Sequence, residues 1–511
     1  MEKTSVKTLQ DLVKIASEEF GDKTYLKEKN GKEVAETSFR QLYENSRKVA
    51  SFLKTISKEK IHAAIIGLTG ASYLSCYFGT SNSGNVIVPL DAQLSPDDIS
   101  DSINRADVTV FFFDKKFEKI VDILKQNSPQ ITKYVCLQDI DGDFVKYPDI
   151  IKEYEILPES DVSADDCAAI VYTSGTTGKS KGVMLSHGNL IDNTMCQDNE
   201  SSVDDVLLSV LPVHHVYCFT CDILCSLRYG ATVCVNDSVM RIAQNLKLFE
   251  PTLMLLVPMI ADTICKKIKA VHAANPELPE KAIARSIFGN RLRGIYSGGA
   301  YLPPELAEFY KDLGIPMSQG YGMTETSPRI STGNLDDDST LGDVGKIVNG
   351  CEVKIVDGEI WAKSPSVMMG YYKNPEATNE ILTPDGWIRT GDLGYVEDSR
   401  IFITGRKKNL IILSNGENVS PEEIENKYAG SEWMSEILVY AENGQITAEI
   451  YPDKDFKGDV AEMFKQKTAE INKTLSSAKA VRKLRIRDRE FDKTASKKIK
   501  RKQTGEKGKE I

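Results

Sequence analysis

Short apolar runs recur through the first 300 positions, separated by stretches with a helical spacing of apolar and polar residues. HAAIIGL (62–68), NVIVPL (85–90), VTVFFF (108–113), AAIVYTS (168–174), TLMLLVP (252–258) and GIYSGG (294–299) are the clearest. Apolar runs of this kind between amphipathic helices predict parallel strands buried on both faces. Beyond about 340 the texture changes. VGKIVNGCEVKIVDGEIWAKSPSVMMGYY places short strands around Gly-centred turns, as in an antiparallel sheet or barrel. A third texture begins near 405, where PEEIENKYAG reads as helix and EILVYAE and ITAEIYP as strands of a small α+β unit.

The expected fold is therefore α/β. A large N-terminal domain of parallel-type sheets wrapped by helices (1–405) includes a small β-barrel-like subdomain (340–405). A small α+β domain (406–511) follows, with the boundary at TGRKKN, 404–409. At 511 residues the chain is too long for one ordinary domain.

Composition narrows the class without naming it. Hydrophobic residues make up 41% and charged residues 27%, as in an ordinary globular protein. A net charge of −10 does not suit a nucleic-acid backbone. Residues 481–511 carry 13 Lys/Arg against 5 Asp/Glu, a local +8 that leaves −18 on the rest. The plain reading of that end is a solvated, partly disordered tail; the sharper one is a surface that meets phosphates.

MEKTSVKTLQDLVKIASEEF reads as a polar amphipathic helix with no secretory h-region, and LMLLVPMI at 253–260 is far too short to span a membrane. Ten cysteines then imply reduced thiols and a cytoplasmic location. Cys218, Cys221 and Cys225 are close enough to be weighed as a metal site. No fourth Cys or His follows at finger-like spacing, so they are read as buried structural residues.

The strongest local signal is YTSGTTGKSKG, Tyr172 to Gly182, between an apolar strand-like run and the helix start SHGNLIDN. Gly, Ser and Thr together expose backbone N–H groups and hydroxyls that cradle phosphate oxygens, and Lys179 and Lys181 add charge. The loop is not a Walker A motif: Thr173 stands where that spacing needs glycine.

Ser174-Gly175-Thr176-Thr177-Gly178-Lys179 followed by Lys181-Gly182 resembles the phosphate loop of the acyl-activating (adenylate-forming) superfamily, which includes acyl-CoA synthetases, beetle luciferases and peptide-synthetase adenylation domains. The other motifs stand in the family's order. The resemblance implies that Thr173 and the 174–179 loop hold the phosphates of ATP. GYGMTET (320–326) resembles the adenine and metal motif. It implies that Gln319, Gly320, Tyr321, Gly322, Met323 and Thr324 lie along the nucleotide, with Tyr321 stacked on adenine. Thr324 would reach the α-phosphate, and Glu325 would ligate Mg²⁺, which prefers carboxylate oxygen. SGGAYLPPEL (297–306) supplies Gly298, Gly299 and Ala300 for close approach of adenine and the acyl carbon.

In GWIRTGDLGYVED (386–398), Asp392 is implied to bond both ribose hydroxyls. In TGRKKNLIILSNGENVSPEEIE (404–425), Arg406 would contact ribose, Lys408 would be the hinge of a mobile C-terminal domain, and Gly416 would line a channel for a thiol-bearing arm. SVLPVHHVYCFT (209–220) resembles the acyl-pocket motif, with His215 in the gating position and His214 outside the site. EFDKTASKKIKR (490–501) resembles the last motif and aligns the catalytic lysine with Lys498. The family has Gly just before that lysine; here it is Lys497, which also leaves open an exchange of roles between the two.

By resemblance, then, the catalytic set is Lys498, Thr324, Glu325 and His215, and the cofactors are ATP, Mg²⁺ and coenzyme A or a holo acyl carrier protein. Details around HHVYCFTCDILCSLRYGATV look closest to bacterial long-chain fatty acyl-CoA synthetases, implying a medium or long alkanoate. The partners expected are a small carboxylic acid and coenzyme A, or alternatively a carrier protein; no nucleic acid and no transmembrane segment are expected, while peripheral membrane contact stays open. A nucleotide-binding protein that has lost catalysis is the alternative of another class, resting on Lys497 alone.

Overall fold

A computed structural model describes residues 1, 5–31, 33–173, 180–197, 201–336, 342–413, 418–477, 479–493, 499–501, 503 and 507–511. The apolar runs are strands. Val206–Ser209, Thr232–Val235, Leu253–Leu256 and Gly294–Ser297 pair in parallel and lie almost wholly in the interior. Helices Ile242–Phe249 and Pro258–Ala274 connect them and bury Leu246, Phe249 and Ile268 against one face. Parallel neighbours need such crossovers, which is why the strands carry apolar residues on both sides.

From Met317–Gly322 onward the same sheet turns antiparallel. It continues through Arg329–Thr332, Lys346–Ile347, Arg400–Arg406, Ile388–Glu397, Glu359–Lys363 and Glu352–Val356. The expected antiparallel region is thus hydrogen-bonded edge to edge onto the parallel strands.

A second sheet holds His62–Ile66, Val86–Pro89, Val110–Phe113 and Lys133–Cys136 in parallel, with Cys167–Thr173 parallel to Val86–Pro89. Here the structure adds an element that sequence reading missed. Lys181–Ser186 is a strand antiparallel to Cys167–Thr173, in register Thr173↔Lys181, so the 174–179 loop joins two arms of a hairpin. The helix read from SHGNLIDN follows at His187–Thr194, capped by Ser186. One core runs between the two sheets and includes Ala63, Ile87, Ala169, Val183, Leu207, Leu253 and Leu255.

Strand Arg400–Arg406 ends in a short 3₁₀ turn, Lys407–Asn409, before Ile411–Ile412 begins the last unit. Its sheet takes Met434–Glu442, Gln445–Pro452, Val481–Ile486 and Lys509–Glu510, with helix Val460–Lys473 crossing between the parallel pair. Val439, Ala448, Ile450 and Phe464 form its core.

The basic end is not simply a solvated tail: among its described residues several cations are paired with acids. Arg485 pairs with Glu442 and Glu510, Arg487 lies 4.0 Å from Glu449, Lys493 pairs with Glu436 and Glu490, and Arg501 pairs with Glu422 and Glu425. Folding brings five of these acids from roughly 40 to 80 residues upstream, and local composition does not report that.

Candidate active site

A largely apolar cavity of ≈ 100 Å³ opens where the parallel part of the large sheet meets its antiparallel part. His215, Gly298, Gly299, Gly320, Tyr321, Gly322, Met323 and Thr324 all line it. These are residues the sequence assigned to the acyl pocket and the nucleotide, spread from position 215 to position 324 and now around one space. Two glycines make room for it. A Cβ on Gly298 would sit 3.0 Å from the Tyr217 ring, and Gly299 holds φ +78, which disfavours other residues. Gln319 donates to the Ala300 carbonyl at 3.0 Å, tying this turn to the neighbouring strand.

Asp392 and Arg406 are cross-strand partners in the Ile388–Glu397/Arg400–Arg406 pair. The Arg406 Nε lies 2.7 Å from one Asp392 oxygen, and the Tyr321 hydroxyl donates to the other at 2.8 Å. The ring assigned to adenine and the carboxylate assigned to ribose therefore form one unit. Burial and the Asp392 carboxylate hold the Tyr321 hydroxyl well above its ordinary pKa, so it stays a donor.

Thr324 opens a 3₁₀ turn, Thr324–Thr326, and places Glu325 in the interior. Tyr371 donates its hydroxyl to Glu325 Oε1 at 2.7 Å. Thr173 ends its strand beside Lys181, whose ammonium lies 4.8 Å from the Tyr371 ring centre. Lys408 is exposed in the 407–409 turn, next to Lys407, which pairs with Glu359 at 2.9 Å. His214 sits off the cavity, 3.7 Å from Asp91, and burial lowers its pKa. Ser174, Gly175, Thr176, Thr177, Gly178, Lys179, Gly416, Lys497 and Lys498 lie outside the described residues.

The structure adds residues that no motif marked. Arg105 donates to the Ser180 carbonyl at 2.5 Å and to its hydroxyl at 3.0 Å, while its guanidinium covers Tyr172 at 4.9 Å. It thus grips both arms that carry the 174–179 loop. Arg329 also lines the cavity; it donates to Asn193 Oδ1 at 3.3 Å and lies 3.6 Å from Cys225 Sγ. Cys218, Cys221 and Cys225 are buried on a π-helical turn and the helix after it, and Cys221 and Cys225 form part of the cavity wall. The sequence reading as core residues missed that second role, because nothing local shows which face meets a void.

Asp222, on the same turn, is fully buried. Ser209 donates to it at 2.8 Å and Cys218 Sγ lies 3.6 Å away. Burial pushes its carboxyl from 3.8 up to about 7, against those two hydrogen bonds. The folded state therefore holds this proton more tightly than the unfolded chain. The resulting stability is present below about pH 4 and is lost as pH rises through 7. Asp222→Asn removes the titration. Its stability relative to the parent should rise by roughly 2–3 kcal/mol between pH 5 and pH 8, measured by urea denaturation. An identical difference at both pH values refutes this.

The AMP-binding enzyme family matches residues 13–372. Long chain acyl-CoA synthetase 7, peroxisomal, of Arabidopsis thaliana is 31% identical over 439 residues, 74% of this chain and 62% of that protein. The chain thus matches less than two thirds of that relative's length. 4-Coumarate–CoA ligase 1 of Solanum tuberosum is 29% identical over 409 residues, 74% of this chain and 72% of that protein. Among solved structures, o-succinylbenzoate coenzyme A synthetase (MenE) of Bacillus subtilis in complex with AMP superposes with a TM-score of 0.78 at 25% identity, covering 98% of this chain and 99% of that one.

Proposed function

The chain belongs to the AMP-binding enzyme family, and on that premise we propose that it activates a carboxylic acid with ATP and passes the acyl group to coenzyme A. The observation that carries this is the shared cavity: His215, Gly298 and Gly299, assigned to the acyl group, and Gly320 to Thr324, assigned to the nucleotide, line it together. A substrate carboxylate oxygen bonds to the α-phosphorus, and the bond to pyrophosphate breaks. The acid is already ionised at neutral pH, so the barrier is repulsion between anions rather than want of a base. Donors aimed at the phosphorus lower it: the Thr324 hydroxyl, loop N–H groups and the Lys498 ammonium. Glu325 would hold Mg²⁺; a lone buried carboxylate suits an ion that takes its other ligands from phosphates and water. That ion would neutralise phosphate charge. In the second half-reaction the thiol sulfur attacks the acyl carbon, its proton is lost and AMP departs. Lys408 is the proposed hinge that exchanges the Lys498 face of the small domain for the Gly416 channel.

For the acid we propose a medium- or long-chain alkanoate, supported by the Leu207, Leu253, Leu255 and Val216 walls and by the Arabidopsis relative. Arg329, a cation in the same lining, favours a second reading, an acid with a polar group far from its carboxyl. ATP–pyrophosphate exchange over acids from C2 to C18, with aryl, amino and ω-carboxy acids included, separates the two. Decanoate to palmitate should give the highest exchange. A peak at ω-carboxy acids selects the second reading, and no exchange with any acid rejects the ligase and leaves a nucleotide-binding protein. Thioester formation with free coenzyme A against a holo carrier protein decides the acceptor. The cytoplasmic setting remains part of this proposal. Among the described residues no helix is long and apolar enough to cross a membrane.

A further inference from the structure

We infer that Tyr371 is the positioning residue for the metal-binding carboxylate Glu325, an inference that rests on the ligase reading above. Tyr371 lies on the two-residue strand Gly370–Tyr371, paired with the strand that leaves the phosphate loop, in register Tyr371↔Val183. Its N–H donates to Thr378 Oγ1 at 2.9 Å, so its backbone is held from both sides. Its hydroxyl reaches Glu325 Oε1 at 2.7 Å, and both side chains are buried, 6% and 7% exposed. The Met368 N–H donates to the Glu325 carbonyl at 2.9 Å, locking the main chain of the same residue.

A carboxylate offers about four lone-pair directions. Tyr371 engages Oε1 through a charge-assisted bond, which selects one side-chain orientation. Among the described residues no hydrogen-bond partner meets the second oxygen, Oε2, which leaves it acceptor capacity for a cation. Lys181 lies over the outer face of the same ring. One aromatic side chain therefore links the strand leaving the phosphate loop to the carboxylate that meets the phosphates' counter-ion. Groups that orient a metal ligand typically change metal affinity by about 10–100-fold when removed.

Tyr371→Phe keeps the ring and the Lys181 contact and deletes only the donor. Binding of Mn²⁺, followed by electron paramagnetic resonance with a non-hydrolysable ATP analogue and no acid present, should weaken about 10-fold or more. The Mg²⁺ concentration for half-maximal exchange should rise by a similar factor, while kcat at saturating Mg²⁺ falls by no more than about threefold. Because Tyr371 acts through Glu325, the double variant Tyr371→Phe/Glu325→Gln should bind Mn²⁺ no more weakly than Glu325→Gln alone. Additive losses, or Mn²⁺ affinity within twofold of the parent in Tyr371→Phe, overturn the inference. If the phenylalanine variant does not fold, Tyr371→His, which retains a ring donor, decides the matter. It should stay within about threefold of the parent in Mn²⁺ affinity, and a tenfold loss counts against the role. A parent enzyme with no exchange on any acid would instead sink the ligase reading, an outcome the acid-free Mn²⁺ measurement does not depend on.

Discussion

Lys498→Ala should lower adenylate formation by about 10²-fold or more, because one charge-assisted contact to the transition state contributes on the order of 2–4 kcal/mol. The flanks of this lysine are well anchored. Lys493 and Ile499 form an antiparallel bridge, and the Lys500 N–H donates to the Asp492 carbonyl at 2.8 Å. Arg501 reaches Glu422 at 2.8 Å and both oxygens of Glu425 at 2.5 and 2.8 Å. Glu422 also accepts from Asn409, beside the proposed hinge. The residues just after it, 499–501, are thus tied to the turn about which the small domain would move. Alanine at 498 leaves all of these contacts in place, so the loss should fall on the chemistry and not on folding. ATP–pyrophosphate exchange measures it directly, and near-parental exchange rejects the role. Lys497→Ala belongs in the same experiment: a loss confined to that variant would transfer the role to the neighbour that replaces the family's glycine.

Gly322→Ala should be as damaging, for a steric reason. A Cβ at 322 would fall 1.7 Å from the Pro328 carbonyl oxygen, a backbone atom that cannot rotate away. The same oxygen accepts from the Met323 N–H at 3.0 Å, closing the turn that carries Thr324 and Glu325. Opening that turn would displace Thr324, the proposed donor to the α-phosphate, and Glu325, the proposed metal carboxylate, together. A forced shift of this kind in packed surroundings costs about 1–3 kcal/mol of stability or more. A displacement of 1 Å at reacting groups can cost about 10²-fold in rate. Exchange should therefore fall by about two orders of magnitude, with a lower thermal midpoint. Gly320→Ala is the control. Its Cβ would come no closer than 3.4 Å to the Ser331 carbonyl, so activity should stay within about tenfold of the parent. Similar behaviour of the two variants would dismiss the steric argument.

How much of this was readable from the residues differs from element to element. The strands at 62–66, 86–89, 110–113, 253–256 and 294–297 were legible because a doubly buried strand must be apolar at every position. Lys181–Ser186 was not, since KGVMLS begins with a charge and a glycine beside a loop and carries no clean period. That residues of several motifs belong together was legible by resemblance, because the side chains that a phosphate, a metal or a purine would demand recur at short spacings. Their partners were not: Tyr321 meets Asp392 across 71 residues, Tyr371 meets Glu325 across 46, and Arg105 meets Ser180 across 75.

The amino-acid order settles periodicity, turn chemistry and which groups exist to do work, since these act over a few neighbouring residues. The folded chain alone decides which distant groups share a hydrogen bond, which cysteines face a void and which cations of the C-terminal end find acids. Those pairings follow from strand order and register, and register is set by the packing of whole sheets rather than by any one segment.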